Sequence, residues 1–289
     1  MGTSPRGRNA NAAYYVPGTN PDGTPKSTLD NANMDSRRPI ANYQAMYVAD
    51  SDGHGILNSL LVTLERRLSR NLGFQINYTW AKQMDNALLS GDSPTHGVRR
   101  NPHSDGSDIW AVADQDVAHH LVANFNWYLP SPTGNSFLRH VLGGWQTTGI
   151  VTLLSGMPFT VRSSGDRSRT TVGSYADYLP GCNASSQVGS DPRLGWFNTA
   201  CFDQAAIGTW GTVGRNTLRG PGLAVVDWGM YKNFKVTEAF NIQFRSEFFN
   251  LFNHTNFGGP SATVGSSDFG QIWSADAPRI VQFALRLSF

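Results

Sequence analysis

Much of the chain sorts its apolar and polar residues with a period of two. Leu72, Phe74, Ile76, Tyr78 and Trp80 share one side, and Gly73, Gln75, Asn77 and Thr79 share the other. Nine residues of strict alternation predict a β-strand, because a two-residue repeat sends successive side chains to opposite faces. The pattern returns at Leu121, Ala123, Phe125, Trp127 and Leu129, and again at Trp228, Met230, Phe234 and Val236. Phe240, Ile242, Phe244 and Phe248 alternate with Asn241, Gln243, Arg245 and Glu247. The chain ends on Val281, Phe283, Leu285, Leu287 and Phe289, set against Gln282, Arg286 and Ser288. Less regular versions run over 60–68 and 145–154. The spacing predicts about eight strands, near 42–49, 56–68, 72–83, 118–129, 144–155, 223–236, 240–252 and 279–289. No long stretch carries a helical stripe.

The connections between these strands alternate in length. Residues 69–71 and 237–239 are tight turns and 130–143 a medium one, whereas 84–117, 156–222 and 253–278 are long. Compact soluble domains rarely hold structureless loops of that size. Outer-membrane barrels show this asymmetry, with short periplasmic turns and long extracellular loops. The expected fold class is all-β: an antiparallel meander of about eight transmembrane strands, part of a larger outer-membrane β-barrel with long extracellular loops. With 69–71 on the periplasmic side, every later turn falls on the matching side. Residues 1–40 are Gly-, Pro-, Asn- and Thr-rich and read as an extracellular loop or an open N-terminal end, followed by the barrel portion over 41–289. Eight strands of a wide barrel would make a curved open sheet. Closure into a small barrel would require interior partners for Arg245, Glu247 and Arg286.

Composition narrows the classes further. The 289 residues hold 23 Lys+Arg and 21 Asp+Glu, a net charge of +2, and only 15% are charged, against about 25% in an average soluble domain. The 11% aromatic content is foreign to a disordered tail. The near-neutral balance predicts no nucleic-acid partner. No apolar run approaches the roughly 18 residues of a membrane-spanning helix, a finding that leaves barrels open because their alternating strands average to a polar score. No apolar stretch follows the first eight residues, so no signal peptide is expected within the chain. Cys182 and Cys201 lie in one long loop outside any CxxC pattern. A zinc or redox site is not expected there. The pair suits a disulfide in an oxidising compartment, with two free thiols as the alternative.

Aromatic placement suggests two girdles of the kind that form at membrane–water interfaces. Trp80, Trp228 and Phe248 fall near the long-loop rim; Trp127, Trp145, Phe234, Phe240 and Phe289 fall near the short-turn rim. The most ligand-like cluster is Asp114, Asp116, His119 and His120, but adjacent histidines on a strand point to opposite faces. His96, His103 and Asp105 sit in a loop. Glu65 with Arg67, and Arg245 with Glu247, read as ion pairs on the barrel wall. No nucleophile, phosphate loop or paired-carboxylate cleft is recognisable, so neither enzymatic activity nor a cofactor or metal is expected.

Several long motifs resemble one family. Residues 58–82 (NSLLVTLERRLSRNLGFQINYTWAK), 116–130 (DVAHHLVANFNWYLP), 143–160 (GGWQTTGIVTLLSGMPFT), 214–221 (GRNTLRGP) and 244–257 (FRSEFFNLFNHTNF) are similar to the C-terminal barrel of Oar-like TonB-dependent outer-membrane receptors. The ending at 280–289, closing on an aromatic, fits as well. Such receptors carry a plug and about 22 strands, so the resemblance implies the C-terminal portion of a receptor, without the plug and the TonB-contacting segment. It implies residence in the outer membrane of a Gram-negative-type bacterium and a part in ligand uptake. The implied partners are outer-membrane lipid, the barrel assembly machinery and an unidentified transported ligand, with the TonB system only in a full-length receptor. Val281, Phe283, Leu285, Leu287 and Phe289 resemble the C-terminal signal read by that machinery. A soluble β-sandwich carbohydrate-binding module is the alternative reading of the same strands.

Overall fold

A computed structural model describes residues 6–19, 21, 35–50, 53–86, 101, 103, 110–133, 136–170, 173–185, 191–237 and 240–289, with backbone alone described at 6–9, 47–50, 136 and 235. Its centre is one antiparallel sheet. The long strands are β1 (Gly55–Ser69), β2 (Leu72–Asp85), β3 (His119–Tyr128), β4 (Trp145–Leu154), β5 (Leu223–Lys235), β6 (Asn241–Phe249) and β7 (Ile280–Ser288). They pair strictly in sequence order from β1 to β7, a meander, and the short strand Ala111–Val112 adds an eighth member beside β2. Each lies within a few residues of the segment expected from its alternation.

The expected strand at 42–49 is the exception. Residues Tyr47–Asp50 form a strand, but it pairs with Arg6–Asn9 in a separate two-stranded sheet. That segment is short, and alternation over a few residues does not name a partner. Among the described residues β1 and β7 each have a single long-strand neighbour, so the sheet is open rather than closed.

Turn geometry matches the sequence between β1 and β2. Ser69 pairs with Leu72 across a two-residue turn in which Arg70 and Asn71 both have positive φ, 49° and 71°. Two such residues in succession make the turn whose twist suits a hairpin. The connection between β3 and β4 holds one helix, α1 (Ser136–Leu142). Its seven residues are too few to produce a readable helical stripe.

The register sorts the sheet into two faces. On one, Val281, Phe283, Leu285 and Leu287 stand beside Phe248, Ser246, Phe244 and Ile242. The same face continues through Trp228 and Phe234 of β5, Val151 and Leu153 of β4, Phe125 and Trp127 of β3, and Phe74 and Ile76 of β2 to Leu64 and Val62 of β1. Phe244 and Phe283 stack on it, 6.2 Å between centroids. The opposite face carries a polar network. Gln146 donates to Asn126 (2.9 Å), Gln243 to Asn233 (2.9 Å) and Arg245 to Gln243 (2.7 Å). The Arg245 guanidinium sits over the Tyr231 ring, and the Tyr231 hydroxyl donates to Glu247. The expected Arg245–Glu247 ion pair is therefore replaced by a link through Tyr231, which lies on the neighbouring strand. Glu65 and Arg67 approach to 3.9 Å on an exposed edge strand, where a pair of this kind contributes little.

Candidate functional site

Beyond the long-loop end of the sheet, segments expected to be loops fold into a cap with its own core. Val161, Tyr175, Phe197, Phe202, Val213 and Leu218 are buried together, with Phe159, Trp196 and Phe269 packed against them. Phe197 lies at the centre, its ring 5.5 Å from Phe159, 5.6 Å from Phe202 and 5.4 Å from Phe269. Such edge-on and tilted aromatic pairs add to the area they bury. The cap takes residues from both 156–222 and 253–278: the strand Thr263–Val264 pairs in parallel with Arg162–Ser163.

Cys182 and Cys201 are joined by a disulfide inside this cap, with Cα atoms 5.4 Å apart and a sequence separation of 19. Cys201 is fully buried in the apolar core. A crosslink closing a loop of that size is worth roughly 3 kcal/mol in the chain-entropy account. Paired Cys182→Ser and Cys201→Ser replacement is expected to lower the cap's stability by about that amount and to leave the sheet assembled, as read by the rate of proteolytic cleavage in the cap.

Two arginines of the 214–221 motif fasten the cap to the sheet. Arg215, with 1% of its side chain exposed, meets Asp85 at the end of β2 (2.7 Å) and Asp114 (3.4 Å). Asn216 adds bonds from Nδ2 to the Val112 carbonyl (2.8 Å) and to Asp114 (2.5 Å). Arg219 pairs with Asp116, whose side chain is 1% exposed, and also donates to the carbonyl oxygens of Asp116 (3.2 Å) and Gly156 (3.0 Å). The second oxygen of Asp116 accepts the backbone N–H of Gln83 (2.6 Å). Burying a carboxylate is costly unless it is paired and hydrogen-bonded, and here each of its oxygens has a donor. Gly156 is required by the close approach of the two cap segments: a Cβ there would stand 1.8 Å from the Gly220 carbonyl oxygen.

The cluster Asp114, Asp116, His119 and His120 is thus drawn apart. Asp114 and Asp116 serve Arg215 and Arg219. His119 Nδ1 shares a hydrogen bond with the Tyr78 hydroxyl (2.8 Å), and His120 lies on the opposite face beside Thr79 and Leu154. His103 stacks on Tyr14 at 4.1 Å, and burial lowers its pKa towards the neutral imidazole. His96 and Asp105 lie outside the described residues. At the outer surface of the cap the hydrogen bond from Arg193 holds the Asp191 carboxyl below the usual range.

Where cap meets sheet there is an apolar cavity of about 420 Å³, lined by Leu154 and Leu223 from the strand ends and by Met157, Phe159, Pro221 and Phe257 from the cap. Leu154 and Leu223 pair directly and belong to the same face as the polar network.

A family model for an outer membrane beta barrel domain matches residues 3–282, cap and sheet together. The chain belongs to this outer membrane beta barrel family. Its sheet is accordingly one of transmembrane strands, and its place is the outer membrane of Gram-negative bacteria. Comparison with curated proteins and with solved structures gives no match.

Within the barrel frame the aromatic residues fall as follows. Trp80 pairs with Leu60 and His119 near the cap end, and Trp228 lies 5.4 Å from Phe248. Trp127, Trp145 and Phe234 stand on the apolar face near the short turns, and Phe240 closes the 237–240 turn by donating its N–H to Thr237. Val281, Phe283, Leu285 and Leu287 are all exposed on the apolar face, and Phe289 is exposed just past the end of β7. The arginine–carboxylate fastening was missed from sequence. Its signal was the pair of motifs Arg215/Arg219 and Asp114/Asp116, about a hundred residues apart.

Proposed function

We propose that this chain is a wall segment, with its outer cap, of a ligand-uptake barrel of the Oar-like TonB-dependent receptor type. The observation that carries the reading is the two-faced open sheet. One face carries apolar side chains from every long strand, many of them exposed; the other holds the amide and Tyr–Arg–Glu network. An apolar surface of that extent is unfavourable in water and suited to a bilayer, where barrel strands are apolar outward and polar inward. A soluble sandwich would cover the apolar face with a second sheet, and among the described residues no sheet lies on it. The motif resemblance supports the receptor type. β1 and β7 then offer their unpaired edges to further barrel strands.

In this reading lipid meets the apolar face, and the barrel assembly machinery engages the C-terminal strand. The transported ligand reaches the cavity between cap and wall, and the TonB system acts only through a full-length receptor. The role is non-catalytic and needs no cofactor. Leu285, midway along β7, tests the lipid face: Leu285→Lys is expected to cost about 2–4 kcal/mol if it sits at the bilayer midplane, read from denaturant unfolding in vesicles. Phe289→Ala should reduce outer-membrane yield much more than Ser288→Ala, and equal yields would count against the assembly role.

Sidedness tests the whole arrangement. With an appended export signal, the chain is assembled in Gram-negative cells carrying Leu194→Cys in the cap or Arg70→Cys in the β1–β2 turn. An impermeant thiol reagent should label position 194 in intact cells and position 70 only after the outer membrane is permeabilised. Equal labelling of both in intact cells would overturn the reading.

A further inference from the structure

One lysine stands on the wrong face. Lys232 of β5 is in register with Trp145 and Phe244, on the apolar side of the sheet, yet it is only 2% exposed. An ammonium has three N–H donors and no acceptor. Here all three are used. Nζ donates to the carbonyl oxygens of His140 (2.8 Å), Val141 (3.1 Å) and Gly143. His140 and Val141 lie in the C-terminal turn of α1 and Gly143 just past it, where C=O groups lack intrahelical partners and the helix end carries partial negative charge. The ammonium also sits 5.4 Å from the centroid of Trp145 and 5.2 Å from that of Phe234. Trp145 Nε1 donates to Val141 O (3.0 Å), a second tie to the same turn. Lys232 therefore acts as a C-terminal cap reaching from the sheet, and it draws α1 onto the apolar face at the short-turn rim.

The rest of α1 suits that place. Phe137 is 71% exposed, and Leu138, Val141 and Leu142 are exposed with it. Its charged and titratable side chains are Arg139 and His140, and no carboxylate lies within it. Trp127 and Phe234, on the apolar face at the same rim, are exposed as well. A helix with apolar side chains outward and basic groups beside them binds at the headgroup boundary, about 5–10 Å into the bilayer.

We propose that α1 is an interfacial helix that lies in the lipid headgroup boundary at the short-turn rim and is fixed there by Lys232. The inference rests on the reading that the apolar face of the sheet meets lipid, and its occupant is the bilayer itself. The clamp also explains how a lysine is tolerated on that face: its donors are saturated by backbone, and a cation near an interface costs far less than one at the midplane.

The test uses the full chain folded into phosphatidylethanolamine/phosphatidylglycerol vesicles containing doxyl-labelled lipid, with folding checked by migration on gels before and after boiling. An environment-sensitive fluorophore is placed at Phe137→Cys, at Phe283→Cys on β7 and at Arg70→Cys in the turn. The proposal expects quenching at 137 and 283 and little at 70. Quenching at 283 with position 137 behaving like 70 overturns the helix proposal and leaves the wall reading intact. No quenching at either 137 or 283 overturns both. Lys232→Met with the label at 137 should lose most of its quenching while the label at 283 keeps it. Unchanged quenching at 137 in that variant overturns the clamp.

Discussion

Arg219→Met is expected to destabilise the cap by about 3–5 kcal/mol, the range for breaking a buried pair by removing one partner. The reason is the residue left behind. Asp116 would keep its backbone bond from Gln83 but lose its cation, and its carboxylate is the buried member of the pair. The reciprocal change is milder. Asp116→Asn leaves Arg219, whose side chain is 37% exposed and can rehydrate. The order of effects therefore runs Arg219→Met, then Asp116→Asn, with the double variant less damaged than the sum of the two because the residues share one network. The cap's proteolytic opening, which follows the population of the open form when reclosing is fast, should rise roughly a hundredfold or more in Arg219→Met. Equal effects from both single variants would remove the argument from burial.

Phe197→Ala is expected to cost a similar amount, about 3–5 kcal/mol, as for other buried Phe→Ala changes. Phe197 is 2% exposed and touches three other rings, so its removal leaves a void that the disulfide-tethered backbone around Cys201 cannot readily fill. The loss is confined to the cap, because the central sheet draws its order from the strand ladders and not from this core. Circular dichroism of the β-sheet should be preserved while cleavage in 156–222 accelerates. Loss of the sheet signal together with the cap would show that the two fold as one unit.

The sheet was legible because its information is local. A strand such as 72–80 states its face and its extent within nine residues; the tight turn at 69–71 names β1 as its neighbour, and 237–239 likewise joins β5 to β6. The cap was not legible for the opposite reason. Val161, Phe197, Phe202 and Val213 stand alone or in groups of two or three apolar residues scattered through turn-rich sequence. Their meeting depends on contacts far apart in the chain. The same holds for Arg215 with Asp85, separated by 130 residues. Lys232 interrupts an otherwise apolar row, and only the helix from another connection makes sense of it. The strand at 47–50 shows the limit of alternation: it identifies a strand and leaves the partner, here 6–9, unnamed.

The central claim is that one face of the sheet meets lipid and the other meets water, and β7 tests it most directly. The two native cysteines are joined to each other, so an introduced cysteine is the only free thiol. Single cysteines are placed in turn at positions 281 to 286 of the chain assembled in outer membranes and exposed to a small water-soluble maleimide. Labelling should alternate, with Gln282, Ala284 and Arg286 positions reactive and Val281, Phe283 and Leu285 positions protected. Uniform reactivity along the strand, or alternation in the opposite phase, would contradict it.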